Sequence, residues 1–319
     1  MVLVVGGAGY IGAHVVQRLR GRGVVVLDDL SQGHRWAVPE GVPLIVGDVC
    51  DRATIDAVLA THPVDSVVHL AAQSIVPHSI ADPEGTWALN VGGTCTLIEA
   101  MQTAGVRRLV FASSASVYGE PQELPLTEDA ALSPTHPYGA SKAACEALLA
   151  EQVAADASWA VACLRFFNAA GASRDGRLGE SHDPETHLIP CALRAARLGL
   201  PLVLTGVDHP TPDGTAIRDY VHVADLASAH EAVLDHLQPG RWEALNVGLG
   251  RGHSVREVLA TVERVTGQAL QVVEAPRRPG DPPALVTDAT RLRTQTGWTP
   301  MFTDLDTIVA TAWAFEQRR

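Results

Sequence analysis

Nowhere does the chain run through the roughly 18 uncharged apolar residues that a membrane-spanning helix requires, so no span is expected. Cysteine is scarce and unpatterned. Cys50, Cys95, Cys145, Cys163 and Cys191 are odd in number, widely spaced and never in Cys-x-x-Cys. That spacing excludes a disulfide framework and a zinc ribbon, and most of the five sit among apolar neighbours, as small core residues do. The thirteen histidines show no His-Glu-x-x-His or similar pattern, so no metal is expected. Positive charge is in the minority: 24 Lys and Arg against 36 Asp and Glu give a formal net charge of −12. A general role on nucleic acid or an anionic membrane is therefore not expected, although a local arginine cluster can still take a small anion. Repeats and low-complexity tracts are also missing. The first residues, "MVLVVGGAGYIG", have no basic n-region and no cleavage site, which points to a cytoplasmic, reducing setting.

What is present is an alternation of apolar runs and helical patterns. "MVLVV", "VVVLDD", "PLIVGD", "VDSVVHLAA", "RRLVFASSAS" and "AVACLRFFN" read as six strands, short and almost continuously apolar. Strands of that kind, separated by helices, indicate a parallel sheet covered on both faces. The expected fold is α/β, a Rossmann-type doubly wound parallel sheet. After Asn168 the loops lengthen and proline and glycine accumulate, as in "ASRDGRLGESHDPETHLIP" and "EAPRRPGDPPAL". Helical patterns over Asp225 to His236 and Ser254 to Thr266 still need a surface to pack on. The expected division is a dinucleotide-binding domain over 1–168, to which some later segments return, and a smaller C-terminal substrate lobe over 169–319.

Several local patterns carry chemistry. In "GGAGYIGAHVV" Gly6, Gly9 and Gly12 lie between the first strand and the first helix. Glycine permits the tight turn and close backbone approach, and the helix start then offers unpaired N–H groups to a pyrophosphate. Asp28 closes the second strand, at the spacing where a carboxylate accepts from the adenosine ribose and repels a 2′-phosphate. NAD is thus expected over NADP. Asp48, at the end of the third strand, is placed for an adenine contact or a strand-end cap. "FASSASVYG" sets Ser113, Ser114 and Ser116 beyond the fifth strand, on the side where open α/β sheets bind ligands. In "HPYGASKAACEALL" Tyr138 and Lys142 are four residues apart where a helix begins, so they share a face. A fixed cation there is expected to draw the phenol down from its usual value near ~10 towards the range of a general base.

The glycine turn with its early carboxylate, the serine turn and "PYGASK" together resemble the extended short-chain dehydrogenase/reductase family. The resemblance implies that Tyr138 is the catalytic base, that Lys142 also touches the nicotinamide ribose, and that Ser114 assists. It assigns Tyr10, Ile11, Asp29, Leu30, Ser31 and Gly33 to the cofactor as well, followed by Val49, Leu70, Ala71, Ala72, Ser74 and Phe167. In the second half, "LRFFNAAGA", "DPETHLIP", "TPDGTAIRDYVHV", "LNVG" and "RRPGDPPALVTDATR" are similar to the nucleotide-sugar 4-epimerases of that family. The resemblance runs over nearly the whole chain. It implies exchange of UDP-glucose and UDP-galactose by oxidation and re-reduction at sugar C4 with tightly held NAD, in a homodimer formed through two helices of the first domain. It places Asn168, His187 and Leu188 against the UDP-sugar, and Arg218 and Arg278 against its diphosphate, a task suited to arginine forks.

Departures qualify the match. Ser74 stands where the family often has lysine, which puts a contact near the cofactor phosphates in doubt. Leu285 stands where some members have tyrosine, and a smaller side chain would leave room for an N-acetyl group. UDP-N-acetylglucosamine and UDP-glucuronate are thus the alternative sugars. A 4,6-dehydratase would need an Asp-Glu pair where this chain has Ala115 and Ser116, which cannot transfer a proton at neutral pH. A dinucleotide-sensing binding protein on the same fold would not need the intact tyrosine, lysine and serine.

Overall fold

The computed structural model describes residues 1–278 and 280–319. The first half supplies β1 (Val2–Val5), β2 (Val24–Asp28), β3 (Leu44–Val46), β4 (Ser66–His69), β5 (Arg108–Ser114) and β6 (Ala160–Phe166). These are the six strands expected. Between them run α1 (Tyr10–Leu19), α2 (Arg52–Thr61), α3 (Val76–Ala81), α4 (Pro83–Trp87), α5 (Gly93–Ala104) and α6 (Pro137–Ala155). The second half adds β7 (Asn168–Ala170), β8 (Pro201–Thr205), β9 (Ile217–His222), β10 (Arg241–Val247), β11 (Gly252–Ser254), β12 (Gln271–Ala275) and β13 (Ala284–Leu285). Its helices are α7 (Leu188–Leu198), α8 (Val223–His236), α9 (Val255–Thr266), α10 (Thr290–Thr296) and α11 (Leu305–Glu316).

Seven strands form one parallel sheet in the order β10-β6-β5-β4-β1-β2-β3. The strand sequences explain why both faces are covered. Successive side chains alternate between faces, and β1 sends Val2 and Val4 into one core and Leu3 and Val5 into the other. The first core is closed by Val15, Val16 and Leu19 of α1 and Leu226, Val233 and Leu234 of α8. The second is closed by Ile55 and Val58 of α2, Leu97 and Met101 of α5, and Leu149 of α6. Arg18–Glu231 and Arg22–Asp235 link α1 to α8 at the surface, where such pairs add little.

β10 was not anticipated as a strand. It extends the sheet beyond β6 in parallel register, from Arg241 opposite Ala160 to Val247 opposite Phe166. A third core gathers Ile189 and Leu193 of α7, Val258 and Val262 of α9, and Ile308 and Val309 of α11. The two helices expected in this half begin at Val223 and Val255, capped by His222 accepting from Ala224 N and by a Ser254–Glu257 capping box. Both caps satisfy amides that would otherwise be unpaired.

Candidate active site

The crevice opens where the strand order reverses, between β1 and β4, the position at which such sheets bind ligands. The turn leaving β1 is held by steric necessity. Gly6 has φ +81, and a Cβ there would lie 2.5 Å from the Ala71 nitrogen; a Cβ on Gly12 would lie 2.0 Å from the Gly6 oxygen. Gly9 caps α1 without a side chain, which leaves the first-turn N–H groups facing the crevice. That is an anion cradle at a helix start. Asp28 is buried at the end of β2, its Oδ2 accepting from Ala8 N at 2.8 Å and its Oδ1 from Leu30 N at 2.9 Å. Two carboxylate oxygens offer about four acceptor sites, so acceptors remain for a ribose. Burial raises Asp28 from its usual value, with the turn amides opposing. The uncapped turn and this carboxylate fit NAD.

A cavity of about 980 Å³ runs from this turn to the second half of the chain. At the dinucleotide end its wall includes Gly6, Gly9, Tyr10, Ile11 and Gly12, then Asp28, Asp29, Ser31 and Gly33. Asp48, Val49, Leu70, Ala71, Ala72 and Ser74 follow on the next strands. Ser114, Tyr138, Lys142 and Phe167 stand at the middle, and Asn168, His187, Arg218 and Arg278 at the far end. Two residues assigned by resemblance do not line it. Leu30 has φ 62, the left-handed region, and its N–H turns back to Asp28. Leu188 opens α7 and packs against the third core.

Tyr138 and Lys142 do share a face of α6, whose first turn is capped by His136 Nδ1 accepting from Gly139 N at 3.2 Å. The electrostatics differ from the sequence expectation. Lys142 is 2 % exposed. Its Nζ donates to the Ala112 carbonyl at 2.7 Å and lies 4.6 Å from the centre of the Phe111 ring. Burial draws this ammonium down to about 8. Burial also raises the Tyr138 phenol, and the group opposing that rise is the Ser114 hydroxyl. Lys142, committed to a carbonyl, is not what lowers the phenol. Lys142 is also the only lysine in the sequence, a signal that motif spacing alone overlooks.

Arg218 Nη1 donates to the Ile217 carbonyl at 2.8 Å, and Nη2 is paired with Asp281. Arg278 lies exposed at the cavity wall. The cavity wall here therefore offers one guanidinium shared with a carboxylate and one that is exposed. Sequence reasoning missed Asp281, Glu180 and His182, all of which line the cavity. Burial pulls His182 and His187 down, but Glu180 and Glu185 outweigh it and lift them to about 9 and about 10.

A glycine turn at the sheet's reversal point, a buried strand-end carboxylate and a Tyr–Lys–Ser set on one cavity define a dinucleotide-dependent enzyme of proton and hydride transfer. Residues 2–248 match the NAD dependent epimerase/dehydratase family, and the chain belongs to it. A UDP-glucose 4-epimerase of Azospirillum brasilense is 47% identical, over 99% of this chain and 92% of that one. The crystal structure of UDP-glucose 4-epimerase from Bifidobacterium longum in complex with NAD+ and UDP superposes with a TM-score of 0.95. It is 35% identical and covers 99% of this chain and 98% of its own. The UDP-Glc/GlcNAc 4-epimerase of Campylobacter jejuni superposes with a TM-score of 0.86 at 36% identity, covering 100% and 99%.

Proposed function

We propose that the protein interconverts UDP-glucose and UDP-galactose by oxidation and re-reduction at sugar C4, with NAD held throughout the cycle. The observation carrying this is one continuous cavity with Asp28 at one end, Arg218 and Arg278 at the other, and Tyr138 between them. When bound, NAD supplies a two-electron sink and a fixed positive charge. Asp28 and the amides of the β1–α1 turn hold its ribose and phosphates. Tyr138 Oη takes the proton of the sugar 4-hydroxyl and returns it, while Ser114 Oγ steadies the oxygen that loses it. Arg218 and Arg278 anchor the diphosphate, so the sugar can turn over while the rest of the substrate stays fixed. Buried Phe167 and Ala115 help exclude water from the keto sugar.

In this reading residues 1–168 chiefly bind the dinucleotide and 169–319 chiefly the UDP-sugar. Five free thiols suit a reducing cytoplasm, and no helix among the described residues is long and apolar enough to cross a membrane. A homodimer is the expected assembly, testable by light scattering. The test of function is incubation with UDP-galactose and no added cofactor. UDP-glucose should form, and Tyr138→Phe should cut the rate by about 10²–10⁴-fold with NAD still bound. Full activity in that variant, or a dehydrated product, refutes the proposal.

A further inference from the structure

Eight residues after Gly179, "ESHDPETH", bring two carboxylates and two imidazoles to one point beside the cavity. Glu180, His182, Glu185 and His187 each present a ligand atom there, and these atoms all lie within 4.8 Å of one another. We propose that these four residues form a binding site for a four-coordinate transition-metal ion of the Zn²⁺ type. Three of the four line the cavity already described, but the proposal does not depend on the epimerase reading.

The distances carry the argument. Glu180 Oε1 is 3.3 Å from His182 Nδ1, and Glu185 Oε2 is 3.6 Å from His182 Nδ1. Zinc bonds of about 2.0–2.2 Å to nitrogen and carboxylate oxygen put tetrahedral ligand atoms roughly 3.3–3.6 Å apart. The third contact, Glu180 Oε1 to His187 Nδ1 at 2.6 Å, would have to open by about 0.7 Å to reach that edge length.

A second observation is independent of the clustering. Glu185 Oε1 is already occupied by the amides of Thr186 at 2.8 Å and His187 at 2.9 Å. Among the described residues its Oε2 has no hydrogen-bond partner, and neither does the facing His182 Nδ1, although the Glu185 side chain is only 5% exposed. Buried polar atoms are rarely left so, and an ion between these two would satisfy both. Two nitrogens with two oxygens suit zinc-like ions better than magnesium or calcium, which take six or more oxygens. Glu180, His182 and His187 line the cavity, which supplies the entry path. A bound ion would cross-link this loop at the start of α7 and fix His187 at the substrate end.

The test uses the NAD-loaded protein, stripped with a chelator and titrated with Zn²⁺ against a chromophoric competitor, then with Co²⁺ followed in the visible range. One equivalent should bind, with the strong d–d absorption of four-coordinate cobalt. Glu185→Gln and His182→Gln should each weaken binding by about tenfold or more, since even outer-shell losses cost that much. Far-UV circular dichroism checks the fold of each variant; the cobalt spectrum of the unsubstituted protein decides if both misfold. No stoichiometric binding, a weak six-coordinate spectrum, or unchanged binding in folded variants overturns the site.

Discussion

Replacing Glu146 by glutamine removes the carboxylate paired with the buried Arg165 guanidinium and should destabilise the fold severely. Their side chains are 2% and 3% exposed, and Arg165 Nη2 donates to Glu146 Oε2 at 2.6 Å. Arg165 Nε reaches Oε1 at 3.0 Å and Oε2 at 3.2 Å, and Ser113 Oγ also donates to Oε1. The other guanidinium nitrogen is held by neutral groups, the Tyr118 hydroxyl at 2.9 Å and the Glu128 carbonyl at 3.1 Å. Breaking such a pair by removing one partner costs about 3–5 kcal/mol, whereas replacing both by apolar groups is often near neutral. Against a total stability of about 5–15 kcal/mol, the single change consumes a fifth or more. Urea unfolding of Glu146→Gln, Arg165→Met and the double variant forms a cycle that isolates the coupling. The double variant, which leaves a polar amide beside Ser113 rather than an apolar group, should recover part of the loss. A single-variant cost under about 1 kcal/mol, or a double variant as unstable as the sum, refutes the reasoning. The same change has a catalytic readout. Glu146 is one turn beyond Lys142 and is among the groups that oppose the lowering of Lys142 by burial. The alkaline limb of kcat should therefore move to lower pH in Glu146→Gln.

In the unsubstituted enzyme that limb should fall near pH 8, where Lys142 loses its proton. The sign separates this from unfolding: between about 8 and 10.5 the unfolded chain keeps a proton that the folded chain has shed, so this group favours the fold as pH rises. Falling stability together with falling kcat over that window would refute the assignment. Acid should do the opposite. Burial lowers His69 and His222 to about 3 and His230 to about 4, so the unfolded chain takes up protons first below about 6.5. Each costs about 2 kcal/mol between pH 7 and pH 5, offset in part by the raised His182 and His187, for a net loss of about 3–5 kcal/mol. A urea midpoint unchanged over that range contradicts it. Leu285 lines the cavity and packs beside Phe167 and Leu126; the protein should turn over UDP-N-acetylglucosamine as well as UDP-glucose, and Leu285→Tyr should lose the acetylated sugar selectively. Absence of turnover on the acetylated sugar removes the volume argument.

The legible part of this fold was the part buried on both faces. β1, β2 and β4 are fully buried, with polar residues only at the ends of β2 and β4, so hydrophobicity marks them without any period. β10 escaped because its first three residues, Arg241, Trp242 and Glu243, remain partly or fully exposed, diluting the signal at the sheet edge. β12 is exposed over four of its five residues; only its partner β8 has inward residues, Leu202 and Leu204, too few to mark the ribbon by pattern. The site divides in the same way. Tyr138 and Lys142 lie one turn apart on a helix, and the glycines lie within one turn, so spacing reveals them. Arg218 and Asn168 reach the cavity through pairing among β7, β9 and β13, a tertiary fact that only resemblance could suggest. Glu180, His182, Glu185 and His187 share a loop, which has no period to read.

The shifts at Tyr138 and Lys142 also constrain how the base can be made. Burial pushes the phenol up and the ammonium down, so it disfavours the charged form of both. Taking the phenol's proton requires positive charge in the cavity beyond that of Lys142, whose Nζ is held by the Ala112 carbonyl. Arg218 and Arg278, proposed for the diphosphate, line the cavity with the residues of the second half. The dinucleotide end is where that charge must arrive, between the β1–α1 amides and Ser114. A tyrosine set this way is a weak base until cofactor and substrate share the cavity, which ties proton abstraction to the presence of an electron acceptor. Lys142→Met should therefore lower kcat by less than Tyr138→Phe does, because the tyrosine is the proposed base and the lysine, held by the Ala112 carbonyl, is not what lowers it.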